Sequence, residues 1–163
     1  MKETFLSKGL ALCADVTAQE TIDRVRYLLG DEKPALIMAD PEYGDIVSEA
    51  WDKSSSVTGL KPGTAEAEQA FVDWMIRWTL AWAELLPEGG AMYVWGGVGK
   101  PKFRPFLAYM SQIERASAGK LTLSPITWKK KRAYGIQHNY LFCREELAYL
   151  CKGDVKKPRV FNV

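Results

Sequence analysis

Apolar residues fall into short runs and helical stripes separated by turn formers, and the order of these segments is the first guide to architecture. Leu10-Ala11-Leu12-Cys13 is a short apolar run of strand type, and over 17–29 Ile22, Val25, Leu28 and Leu29 recur at helical intervals before Gly30. After the break at Lys33-Pro34, the run Ala35-Leu36-Ile37-Met38-Ala39 is apolar without alternation, the pattern of a strand covered on both faces in a parallel sheet. It ends abruptly on Asp40-Pro41. Residues 44–63, with Ser54-Ser55-Ser56, Gly59 and Pro62, lack clear periodicity and predict a long active-site loop. Thr64 is placed to cap a helix from Ala65 to Leu86, which Pro87-Glu88-Gly89-Gly90 stops before a second buried-strand run, Ala91 to Trp95. Pro101 to Arg115 again has helical spacing and Leu121 to Trp128 reads as a strand. A basic loop then leads to two last apolar runs, Tyr140 to Cys143 and Leu147 to Cys151.

Alternation of this kind predicts an α/β sheet with right-handed crossovers, whose ligand sites lie at the carboxyl ends of the strands. A chain of 163 residues, 47% hydrophobic, fits one domain with a sizeable core, residues 1–163, with 129–139 as its basic loop. The net charge of +2 and a pI near 8.4 are too mild to announce a nucleic-acid binder, so the distribution of charge matters more than its total. The three cysteines, Cys13, Cys143 and Cys151, have no CxxC spacing and read as buried, reduced thiols. With one histidine, His138, neither a Ser-His-Asp triad nor a His-pair metal site fits within the chain, which removes most hydrolases and zinc enzymes. No apolar run approaches the roughly 20 residues that span a bilayer, and Met1-Lys2-Glu3-Thr4 has no signal-peptide core. A cytoplasmic protein without a membrane partner is expected.

Asp40-Pro41-Glu42-Tyr43 puts a carboxylate, a rigid turn and an aromatic ring directly after a buried strand. Here the sequence resembles the DNA adenine-N6 and cytosine-N4 methyltransferases, whose hallmark is Asp-Pro-Pro-Tyr in this setting. Three later segments add to the resemblance. Leu86 to Gly97 is similar to the family's turn, strand and Gly-Gly end; Ile126-Thr127-Trp128-Lys129-Lys130 is similar to its W-x-K strand; and Glu145 to Gly153 is similar to its late E-x-I-L-x-x-K-G strand. The resemblance runs from about residue 10 to residue 155. It implies a Rossmann-like class I methyltransferase sheet, S-adenosylmethionine as cofactor, DNA as substrate, and transfer to the exocyclic amine of a flipped adenine, cytosine being the second choice. It further implies that Asp40 and the carbonyl beside Pro41 accept hydrogen bonds from the target amine, that Tyr43 stacks on the base, and that Asp40 also touches the cofactor. Leu12 to Val16 lies where such enzymes have a strand ending near the cofactor's adenine, which makes Asp15 and Val16 cofactor candidates; Asp15 as a helix cap is the other reading.

The basic loop supplies the nucleic-acid candidates Lys129, Lys130, Lys131, Arg132 and His138, against the reading of a solvated lysine-rich turn. Trp74, Trp78 and Trp82 recur every four residues along one helix face, a spacing that predicts core or partner packing rather than base stacking. Two departures from the family stand out. Glu42 replaces the second proline of the hallmark, and the Phe-x-Gly-x-Gly cofactor segment that follows the last strand in the permuted arrangement is not found. The chain therefore resembles the catalytic part, with the sheet incomplete on the cofactor side. Gly96-Gly97-Val98-Gly99 reads as a turn rather than a cofactor cradle. A methyltransferase-like module that binds nucleic acid without chemistry, a subunit of a split enzyme completed by a cofactor-binding partner, and a homo-oligomer are the alternatives.

Overall fold

The computed structural model describes residues 1–6, 9–41, 58–60, 64–97, 102–131 and 143–153. They fall into two compact units, 1–33 and 34–163. The first holds β1 (Lys2–Leu6), β2 (Gly9–Cys13) and α1 (Gln19–Leu29). Strands β1 and β2 form an antiparallel hairpin in register from Lys2 opposite Cys13 to Leu6 opposite Gly9. The predicted Leu10–Cys13 strand is present, but it pairs with β1 in a separate two-stranded sheet rather than joining a central one. The Glu3 carboxylate takes both Arg24 nitrogens, at 2.6 and 2.9 Å, which ties the hairpin to α1. Gly30, at φ 56°, closes α1 by donating to the Arg26 and Tyr27 carbonyls, a left-handed turn that glycine adopts without a Cβ penalty.

The second unit holds β3 (Leu36–Ala39), α2 (Ala65–Ala83), β4 (Ala91–Gly96), α3 (Phe103–Ala116), β5 (Leu121–Lys129) and β6 (Arg144–Lys152). The sheet order is β3-β4-β6-β5. β3 runs parallel to β4 through the α2 crossover, whereas β6 is antiparallel to both β4 and β5, so the sheet is mixed rather than wholly parallel. Of the two final apolar runs, Leu147 to Cys151 lies in β6, which begins earlier, at Arg144, and is preceded by an exposed Cys143; 140–142 lie outside the described residues.

Pleating sorts the sheet into two faces. Ile37, Ala39, Met92, Val94, Ala148, Leu150, Leu121 and Leu123 point to the side where Phe71, Val72, Met75, Phe106, Tyr109 and Ile113 of α2 and α3 complete the core. Each such large apolar side chain, fully buried, contributes roughly 1.5–3 kcal/mol. Thr79 and the Tyr109 hydroxyl, 3.1 Å apart inside this core, satisfy each other between the two helices, and burial pushes the Tyr109 phenol above its ordinary range. The opposite face carries Leu36, 45% exposed, and Met38, 66% exposed. The expectation that β3 is covered on both faces is therefore corrected. β3 is an outer strand of the described sheet, and its covered face is the one bearing Ile37 and Ala39. Cys13 is exposed like Cys143, and of the three free thiols only Cys151 has the expected burial. Trp78 is buried, with Trp74 and Trp82 packed against the core, as the helical spacing predicted.

Local signals account for the ends of the elements. Thr64 Oγ1 accepts from the Ala67 amide at 3.2 Å, capping α2 as predicted. Past Ala83 the chain turns, and Lys152 Nζ donates to the carbonyls of Ala83, Glu84 and Leu86 at 3.0, 3.2 and 2.8 Å. A cation at a helix C-terminus satisfies orphan carbonyls and the helix dipole together. The Lys152→Met variant should lose about 2 kcal/mol, a fall of roughly 4–8 °C in Tm for a chain of this size. An unchanged melting curve by circular dichroism would dismiss this capping role.

Candidate functional site at the carboxyl edge of the sheet

Because β5 is parallel to β4 and β3, three strands end on one edge, where β6 begins. Asp40 is one residue past the last β3–β4 pair, Ala39 opposite Val94, and is exposed. Pro41 follows it and restricts the backbone of Asp40 to extended conformations, fixing the direction in which its carbonyl points. On the neighbouring strand Trp95 and Gly96 close β4, facing Leu147 and Glu146 of β6. Gly96 is a packing site: a Cβ there would fall 2.2–2.3 Å from three atoms of the Phe106 ring. The start of α3 can lie close beneath the end of β4 only because position 96 has no side chain.

The far side of the edge is basic. Lys129 faces Arg144, Trp128 faces Glu145 and Thr127 faces Glu146 across the β5–β6 ladder. Lys129 and Lys131 are exposed. Lys130, one of the nucleic-acid candidates, already has partners within the chain. Its ammonium pairs with Glu145 and lies 6.0 Å from the centroid of the Trp128 ring. Glu146, 8% exposed, accepts from the Thr127 hydroxyl at 2.7 Å and pairs with Arg144 at 3.0 Å. These acidic residues hold the basic side chains in place, a role that their position within an apolar strand motif did not announce. At about 4.8 Å per strand, three spacings put β5 about 14 Å from β3.

In the first unit, Asp15 is exposed and its Oδ1 accepts both the Thr17 amide, at 2.8 Å, and the Thr17 hydroxyl, at 2.7 Å. These bonds hold its carboxyl below the usual range, and they form the turn that leads into α1. Val16 is an exposed residue of the same turn. Thus the structure brings Asp40, Pro41, Lys129, Lys130 and Lys131 to one sheet edge, and it puts Asp15 and Val16 in the other unit. Glu42, Tyr43, Arg132 and His138 lie outside the described residues. A cavity lined by Leu80, Glu84, Ser117, Lys120 and Lys152 lies at the opposite end of the sheet and belongs to the capping of α2. Among the described residues no group of His, Cys, Asp and Glu is arranged to hold a metal ion, and no helix is long and apolar enough to cross a membrane.

No protein-family model matches the chain, and no curated protein sequence matches it. Solved structures do. The crystal structure of M1.HpyAVI superposes with a TM-score of 0.51 at 16% identity, covering 92% of this chain and 60% of its own. The M1.HpyAVI–SAM complex superposes with a TM-score of 0.52 at 17% identity, covering 92% of this chain and 58% of its own. TTHA0409, a candidate DNA modification methylase from Thermus thermophilus, reaches a TM-score of 0.47 at 21% identity over 82% of this chain and 52% of its own, too low to carry weight. The chain spans about 60% of the length of the M1.HpyAVI structures it matches. Over that span it shares their mixed α/β, Rossmann-like fold.

Proposed function

We propose that this chain carries the target-base side of an S-adenosylmethionine-dependent methyl transfer to the exocyclic amine of a DNA base, adenine ahead of cytosine. The observation that carries the reading is the position of Asp40-Pro41 at the carboxyl end of β3, in a fold shared with a structure that binds SAM. An exocyclic amine conjugated to its ring is a poor nucleophile. The Asp40 carboxylate and the backbone carbonyl aimed by Pro41 are two acceptors that fix the amine hydrogens and favour the tetrahedral nitrogen needed for attack. Tyr43 is the residue proposed to stack on the flipped base. The bound cofactor supplies the methyl group. Asp40, exposed and at a strand end, is the residue proposed to make one polar contact to it, and Asp15 Oδ1 holds its own turn. Lys129 and Lys131 suit the DNA phosphates.

Methyl-labelled S-adenosylmethionine, duplex DNA and the full chain test this directly, with the nucleosides separated by mass spectrometry. Label on adenine N6 is the expected result. Label on a ring carbon, or no label while calorimetry shows cofactor bound, would overturn it. A second reading, a module that binds DNA without chemistry, draws on Glu42 in place of the second proline. It predicts DNA binding with no heat of cofactor binding in the same calorimeter.

A further inference from the structure

The outer strand β5 is unlike the rest of the sheet. From Ser124 to Lys129 every residue is exposed, although the strand is paired with β6 along its whole length. Pro125 suits such an outer strand because it has no amide to offer a partner. Two large apolar side chains point from it to the face opposite the core, Ile126, 36% exposed, and Trp128, 52% exposed. Half-exposed tryptophan is costly to leave in water, yet here cations lie near it. Lys130 lies over the ring, Lys131 follows three residues on, and Lys129 with its cross-strand partner Arg144 projects from the other face of the same outer edge. The pairing of Lys130 with Glu145, the direct cross-strand neighbour of Trp128, holds the ammonium against the indole. The ring is thereby positioned before any ligand arrives, which lowers the ordering cost of binding. An aromatic surface held among exposed lysines is the combination that takes an unpaired nucleotide, its base on the ring and its phosphates on the cations.

We propose that Trp128 is a stacking platform for an unpaired base of a DNA strand, with Lys129 and Lys131 holding the flanking phosphates. The proposal deepens the reading above and rests on it for the choice of DNA. The 14 Å or so between β5 and β3 puts the platform a few nucleotides along the strand from the base presented to Asp40.

The test uses fluorescence anisotropy of the full chain with a labelled 12-nucleotide single strand and with its duplex, in the absence of cofactor. Trp128→Ala should weaken single-strand binding about five- to a hundredfold and duplex binding less. Trp128→Phe, which keeps a ring, should retain most of the affinity. The Lys129→Gln, Lys131→Gln double variant should flatten the plot of log affinity against log salt by about 1.4, two single-strand phosphate contacts. If Trp128→Ala binds the single strand as tightly as the parent with an unchanged melting curve, the platform is wrong. If that variant instead converts a dimer into a monomer by light scattering with strand affinity intact, the patch belongs to a second copy of the chain and the proposal falls. A chain that binds unpaired strands through Trp128 but never methylates would defeat the catalytic reading and keep the platform. A methylating chain indifferent to Trp128→Ala would do the reverse.

Discussion

Asp40→Ala should reduce kcat for methyl transfer by about 100- to 1,000-fold, the usual loss when one preorganised polar contact to a developing charge is removed. In the proposed reaction the amine acquires positive character as nitrogen attacks, and the Asp40 carboxylate, at the end of β3 next to the restricted Asp40-Pro41 peptide, is the acceptor assigned to it. The loss should fall mainly on kcat, with the KM for DNA nearly unchanged, because the proposed phosphate contacts sit on β5 rather than β3. Asp40→Asn keeps an oxygen acceptor without the charge and should fall between the parent and the alanine variant. Folding should be little affected, since Asp40 is an exposed residue beyond the end of its strand. Steady-state kinetics beside a melting curve separates the effects. A variant that retains the parent kcat removes Asp40 from the reaction, and one that loses activity only in step with its Tm assigns Asp40 a structural part.

Elements that the sequence announced are those whose signals are local. α2 has helical spacing, a threonine cap and a Pro-Glu-Gly-Gly stop, and these place it within three residues at its far end. β4 and β5 follow from apolar runs bounded by turns. What escaped depends on partners distant in sequence. Lys2-Glu3-Thr4-Phe5-Leu6 looks too polar for a strand; its order comes from pairing with β2 and from Arg24, 21 residues away. β6 starts before the apolar run Leu147 to Cys151 and takes in Glu145 and Glu146, whose carboxylates Lys130, Arg144 and Thr127 neutralise or satisfy. Lys152 looked like one letter of a motif, and only the folded chain reveals that it caps α2 from 66 to 69 residues away. The same division applies to the site. Asp40-Pro41 was legible from a strand end and a proline, whereas the pairing that anchors Lys130 against Trp128 needs the β5–β6 register.

Gly96→Ala should be the most destabilising single methyl that this edge can receive. The added carbon would sit 2.2 Å from Phe106 Cδ1 and 2.3 Å from Cε1 and Cγ, well inside van der Waals contact, so one partner must move. The Phe106 ring has little room, being 2% exposed and stacked on Tyr109 with centroids 5.7 Å apart. Gly96 itself is held by the ladder opposite Glu146. Overpacking of this kind costs about 3 kcal/mol, the upper end of its usual range, which lowers Tm by roughly 6–12 °C for 163 residues. A double-mutant cycle identifies the cause. In a Phe106→Leu background, where the ring is gone, the same Gly96→Ala change should cost at least about 1 kcal/mol less. Strict additivity would mean that the ring is not what position 96 must avoid. If Gly96 served instead as a cofactor cradle, Gly96→Ala would weaken cofactor binding while leaving Tm in place. The packing account requires the opposite order: stability falls first, and any loss of binding follows from displacement of α3 beneath the edge that carries Asp40.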